Sequence, residues 1–169
     1  MDKRHWPRGY RCNGHIMLNS EKMSKSTGNF RTLRQAIEEF SADATRFCLA
    51  DAGDSLDDAN FVFETAKAAI LRLTKEISWM EEVLAAEASL RVGPSSTYAD
   101  RDFANEINLA MKLTEQHYQN YMFREALKTG FYDLQAARNE YRFSCGTGGL
   151  NCDLVWRFMD VQTVKFCVE

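Results

Sequence analysis

Residues Asp57 to Ser89 read DDANFVFETAKAAILRLTKEISWMEEVLAAEAS, and their periodicity decides the architecture. Phe63, Ala66, Ile70, Leu73, Ile77, Met80 and Leu84 follow one another at alternating intervals of three and four, which puts apolar side chains on one stripe of a helix. Asp57 and Asp58 stand where acidic groups favour a helix N-terminus. The spacing predicts one helix over this whole stretch, its stripe packed as the core of a helical bundle. Trp79 and Val83 widen the stripe toward a second neighbour. The same stripe also admits a second reading, as an exposed seam for a partner.

Further helices are predicted on both sides. Leu33, Ala36, Ile37 and Phe40 share a face, and a short helix from Asp43 to Ala52 has Ser41 or Asp43 as its cap and Gly53 as its stop. After a loop around Gly93-Pro94-Ser95-Ser96, Phe103, Ile107, Ala110, Thr114, Tyr118 and Tyr121 mark another helix. A break at Asn120 to Met122 leads to one carrying Phe123, Leu127, Phe131, Leu134 and Tyr141, which ends in the glycine stretch Cys145 to Gly149. Leu154 to Phe166 forms a last helix. Tyr118, Tyr121, Phe131 and Tyr141 could stack on nucleic-acid bases, but their spacing reads them as core. The only strand signal is the apolar run His15 to Leu18, so the chain is mainly α.

The 169 residues, 45% hydrophobic and 27% charged, suit a globular protein of one domain, or one small domain with an attached part. Residues 1–34 carry eight Lys or Arg (Lys3, Arg4, Arg8, Arg11, Lys22, Lys25, Arg31, Arg34) against Asp2 and Glu21, a net +6. The chain as a whole is net -3, so the remainder is net -9. A basic head on an acidic body suggests a local anion site, the alternative being a solvated tail. The five cysteines form no CxxC pair and make no metal spacing with His5, His15 or His117, which predicts free thiols and no metal site. The opening residues hold no secretory signal, and no apolar run is long enough for a membrane span.

Between the strand signal and the first helix lies Asn19-Ser20-Glu21-Lys22-Met23-Ser24-Lys25-Ser26-Thr27-Gly28-Asn29. Lys22 and Lys25 are three apart, so a turn can aim both ammonium groups at one target, and ammonium groups suit phosphate oxygens. Ser24 and Ser26 add neutral donors, Gly28 permits a sharp turn, and Met23 is the single apolar anchor. Such a loop behind a strand is a clamp for a triphosphate.

Lys22 to Ser26 resembles the KMSKS signature of class I aminoacyl-tRNA synthetases. LNSEKMSKSTGNF (Leu18 to Phe30), FSADATR (Phe40 to Arg46), LADAGD (Leu49 to Asp54), DANF (Asp58 to Phe61) and FREALKTGFYDLQAARNEYR (Phe123 to Arg142) narrow the resemblance to the eukaryotic cytosolic leucyl-tRNA synthetases. It implies that residues 1–54 are the C-terminal edge of the Rossmann-like catalytic domain, with the KMSKS loop and connecting helices. Residues 55–169 would be an α-helical bundle of the anticodon-binding type, unfinished at Glu169. The implied reaction is ATP-dependent ligation of leucine to tRNA(Leu) in the cytoplasm, with Mg2+ accompanying ATP. Lys22 and Lys25 would be the catalytic residues, and Lys22, Met23, Ser24, Lys25 and Ser26 the ATP-binding loop. Partners would be tRNA(Leu), leucine and a multi-synthetase assembly, without a membrane. Ser20 stands where many class I enzymes have glycine, as in the leucine subgroup. The family's His-x-Gly-His stretch is not found, and Asn13-Gly14-His15 is not it. These residues alone are therefore not expected to form leucyl-adenylate. The alternative is a non-catalytic tRNA- or protein-binding helical module.

Overall fold

A computed structural model describes residues 2–7, 9–10, 12, 14–53, 56–146 and 149–166, the stretch 163–166 as backbone only. Arg8, Arg11, Asn13, Asp54, Thr147, Gly148 and Cys167, which entered the reading above, lie outside the described residues.

The protein is mainly helical with one small sheet. Strand β1 (Ile16–Leu18) forms a tight antiparallel hairpin with β2 (Glu21–Lys22), so the sheet reaches into the stretch read as loop. Asn19 and Ser20 turn it with φ of 48° and 68°, the left-handed conformation that a type I′ two-residue hairpin needs at both central positions. Helices α1 (Leu33–Phe40) and α2 (Ala42–Asp51) then cross over to β3 (Ala59–Phe61), which runs parallel to β1 on its other edge. Ser41 joins the helices. Its N–H donates to Ile37 O, and its hydroxyl accepts from Ala44 N–H.

The third strand corrects the helix expected from Asp57. Asp57 and Asp58 do not open a helix; they receive the chain that leads into β1. Gly14 N–H donates to Asp57 O (3.1 Å), and His15 N–H to Asp58 Oδ1 (2.7 Å). Pairing of Ala59 to Phe61 with β1 outcompetes the local helical preference. Helix α3 therefore starts at Phe63 and runs to Ala85.

Helix α4 (Tyr98–Gln119) opens on a capping box between Thr97 and Asp100. Helix α5 (Phe123–Leu127) continues through a widened π turn, Lys128–Asp133, into α6 (Leu134–Cys145), and α7 (Cys152–Phe166) closes the bundle. The π turn lies inside what the sequence reads as one regular helix. It presents Gly130 O to the side-chain amide of Gln162 (3.0 Å), and Thr129 shares its hydroxyl with Thr114 (2.9 Å).

Two cores form. Leu18, Phe40, Ala44, Phe47, Cys48 and Phe61 of the sheet and first helices pack against Ala66 and Ala69 of α3 and against Leu127 and Phe131. Trp79, Val83, Phe103, Ile107, Leu134, Tyr141, Leu154 and Phe158 form the core of the bundle.

The stripe that decides the architecture is shifted. The buried line of α3 is Ala66, Ala69, Glu76, Trp79 and Val83. Ile70, Ile77 and Leu84 are instead 37%, 53% and 44% exposed. A buried ion pair lies on this buried line: Glu76 bonds Arg138 and Gln135, and the Arg138 guanidinium lies 4.4 Å from the Trp79 ring centre. Phe131 and Tyr141 are core as expected, whereas Tyr118 and Tyr121 are exposed.

Candidate functional site: a lysine loop on a braced hairpin

The base of the loop is tied to β3 and to the start of α3, some forty residues along the chain. Asn19 N–H donates to Phe61 O (3.1 Å), and the Asn19 carboxamide oxygen accepts from Phe63 N–H (3.0 Å), which ties the hairpin turn to the first residue of α3. Ser20 N–H donates to Asn60 Oδ1 (2.8 Å), and Asn60 Nδ2 donates back to Ser20 Oγ (3.0 Å). Glycine relieves a left-handed position at no steric cost; serine does not. Here Ser20 holds φ of 68° against two side-chain hydrogen bonds that glycine could make only in part.

Beyond the turn, Lys22 ends β2 with its side chain in solvent. Met23 is half-buried and packs against the first core, so it anchors the loop. Ser24 N–H donates to Asn29 O (2.8 Å), closing a second, wider turn around Lys25 to Gly28, and Gly28 has φ of 76°. The Ser24 and Ser26 hydroxyls bond each other at 2.8 Å, and Asn29 Nδ2 donates to Lys22 O (3.3 Å). Lys25 is exposed, with its ammonium 5.1 Å from the centre of the Phe30 ring.

The five residues singled out by sequence thus run from the end of β2 into this turn, with Lys22, Lys25 and Ser26 exposed and Met23 and Ser24 partly covered. Neither Lys22 nor Lys25 joins an ion pair among the described residues. A cation resting on an aromatic face is held by roughly 0.5–1 kcal/mol at an exposed site, weak enough for a phosphate to displace. Lys67, Arg72 and Lys75 lie elsewhere, on α3. Lys67 pairs with Glu64 (3.3 Å), and Arg72 lies over the Tyr132 ring (5.2 Å). Sequence reasoning missed Asn19, Asn60 and Asp58, which brace the loop. The alternating Asn19-Ser20 and Asp58-Ala59-Asn60 polar positions were the available signal, hidden by the helical pattern that follows. Among the described residues, no group of three or more His, Cys, Asp or Glu is placed to hold a metal ion, and no helix is long and apolar enough to cross a membrane.

Comparison with known proteins covers the same residues. The family model described as tRNA synthetases class I (M) matches residues 3–76, which contain the loop, its bracing strands and most of α3. The segment 3–76 thus matches the class I tRNA synthetases. The chain's similarity to particular members is high. It is 75% identical over 163 residues to the cytoplasmic leucine–tRNA ligase of Arabidopsis thaliana, a match covering 96% of this chain and 15% of that protein. It is 54% identical to the cytoplasmic leucine–tRNA ligase of Pongo abelii (96% and 14%) and 46% identical to that of Saccharomyces cerevisiae (96% and 15%). The chain therefore spans about one seventh of the length of the curated relatives it matches.

Proposed function

We propose that this chain supplies the ATP-phosphate loop and the adjoining tRNA-supporting helices of a cytoplasmic leucine–tRNA ligase. The observation that carries the reading is the exposed turn holding Lys22 and Lys25 on a braced hairpin, inside the segment matched by the family model. In this reading residues 1–54 are the end of the catalytic domain and 55–169 the anticodon-binding type bundle. Partners are ATP with Mg2+, leucine, tRNA(Leu) and a multi-synthetase assembly.

The chemistry follows from charge. Leucine's carboxylate oxygen attacks the α-phosphorus of ATP, the bond from the α-phosphorus to the α,β-bridging oxygen breaks, and pyrophosphate leaves carrying that oxygen and its negative charge. Lys22 and Lys25 meet that charge on the β- and γ-phosphates, Ser24 and Ser26 donate to the remaining oxygens, and Met23 holds the turn to the body. In a closed, water-excluded site each lysine is worth on the order of 3 kcal/mol in the transition state, by analogy with removal of one preorganised donor. On this chain alone the turn stands in water, where one charge pair gives about 1 kcal/mol.

Titration of the 169-residue chain with ATP tests the reading. Lys22→Ala and Lys25→Ala are each expected to weaken binding about fivefold, and raised salt is expected to weaken the unaltered chain. Binding indifferent to both substitutions counts against the loop as the phosphate site. The exposed line Ile70, Ile77 and Leu84 favours a second reading, a protein-binding helical module without catalysis. That reading accounts for the line but leaves the paired lysines without a role.

A further inference from the structure

Sequence spacing places Tyr118, Tyr121, Phe131 and Tyr141 in the core, and the structure divides them. Phe131 and Tyr141 are buried, but Tyr118 and Tyr121 are 38% and 63% exposed, beside Phe123 at 45%. These three rings gather at the corner between α4 and α5. Phe123 sits between the tyrosines, its ring centre 6.0 Å from Tyr118 and 6.5 Å from Tyr121, both edge-on. The corner is held by its backbone: Asn120 N–H donates to Gln116 O, Tyr121 N–H to Tyr118 O and Met122 N–H to His117 O (2.8 Å). Tyr121 takes φ of 57° to make that bend, a conformation that costs a non-glycine residue about 1–2 kcal/mol.

Beside the corner is a cavity of about 220 Å³. Its walls are Phe47, Leu73, Leu127, Tyr118 and Phe123, and its mouth carries Asp43 and Arg46 of α2. The volume lies below the roughly 300–1,000 Å³ of pockets for drug-sized molecules, so it suits a single planar ring system. An apolar side chain would match the walls but would leave Asp43 and Arg46 without a role. A nucleobase has a face to stack on Tyr118 or Phe123, edge N–H groups to donate to the Asp43 carboxylate, and a phosphate attached within reach of a guanidinium. Arg46 is exposed and joins no ion pair among the described residues.

We infer that this cavity receives one unstacked base of an RNA strand, with Arg46 on the neighbouring phosphate. The inference rests on the tRNA reading above and adds a place of contact, distant in sequence from the lysine loop. Irradiation of the chain with total tRNA at 254 nm and low salt, followed by nuclease digestion and mass spectrometry, locates the contact. Nucleotide adducts are expected on Tyr118 or Phe123. Tyr118→Leu is expected to lower tRNA affinity roughly 5- to 100-fold, the range of one lost base–aromatic stack. Tyr118→Phe, which keeps the ring, is expected to retain the affinity. Arg46→Gln is expected to weaken binding and to reduce the salt slope by about one. Thermal melting of each variant separates a lost contact from a lost fold. If the chain binds tRNA but the adducts lie elsewhere and Tyr118→Leu binds as tightly as the unaltered chain, the pocket is overturned and the tRNA reading stands. A cavity built for a protein side chain gives that same result. If the unaltered chain binds no tRNA at low salt, both are overturned.

Discussion

Gly14 has no room for a side chain. A Cβ there would sit 2.1 Å from Asp58 Oδ1 and 2.9 Å from Asp58 N, so the strand leading to the loop passes β3's start only as bare backbone. Gly14→Ala is therefore expected to separate the hairpin from Asp57 and Asp58 and to cost on the order of 1–3 kcal/mol, read as a lower midpoint in urea unfolding. Asp100 makes a second residue-scale case. Its carboxylate is fully buried, and burial alone would raise its pKa. The Tyr141 hydroxyl (2.6 Å), Thr97 N–H (3.0 Å) and Arg91 guanidinium (2.6 Å) reverse this and hold the carboxyl at about 2, below its ordinary 3.8. A carboxyl held lower in the folded state than in the unfolded one stabilises the fold above the unfolded value and loses that contribution as pH falls through the folded value. A contribution on the order of 2 kcal/mol, complete above about pH 4 and lost toward about pH 2, is expected. Asp100→Asn should flatten the dependence of stability on pH in that window; an unchanged acid limb would contradict this assignment.

At the scale of elements, α3 shows how a correct period can carry the wrong phase. The alternation of three and four from Phe63 to Leu84 is real, but the buried line lies one residue before it at Ala69, Glu76 and Val83. Hydrophobicity counted Glu76 as a surface residue, because only tertiary structure supplies Arg138, 62 positions away, as its partner. The helices themselves were legible from their apolar periodicity, and one pair of local signals held, Ser41 as the N-cap of α2 and Gly53 after it, whereas the capping boxes at Thr32 and Thr97 went unread. Strand β3 was not legible, because its only reason to be a strand is β1, some forty residues earlier. The lysine loop was legible as a motif, but its bracing by Asn19 and Asn60 was not. Trp79→Ala is expected to cost about 3–5 kcal/mol, and Ile77→Lys less than about 0.5, in chemical denaturation. The opposite order would restore the phase read from sequence. Removing one charge of the buried pair, as in Arg138→Met, is expected to cost about 3–5 kcal/mol by stranding Glu76. Replacing both, with Glu76→Leu added, is expected to recover most of that loss.

Over the whole molecule, charge and rigidity are distributed so that the grip on an anion is local. The basic head ends in an exposed turn, and the acidic remainder of the chain carries the two cores that brace it. Helix α3 begins at the brace and extends through both cores, so the hairpin and the bundle are mechanically one piece through Asn19 and Phe63. The lysine side chains are the parts left free to respond to phosphate. Carbon-13 labelling of lysine ε-methylenes lets every ammonium group be followed at once while ATP is added to the chain. Lys22 and Lys25 are expected to shift together along one saturation curve, while Lys67 and Lys75 on α3 stay in place. Shifts confined to the α3 lysines, or none at positions 22 and 25 at saturating ATP, would contradict the assignment of this turn as the phosphate grip.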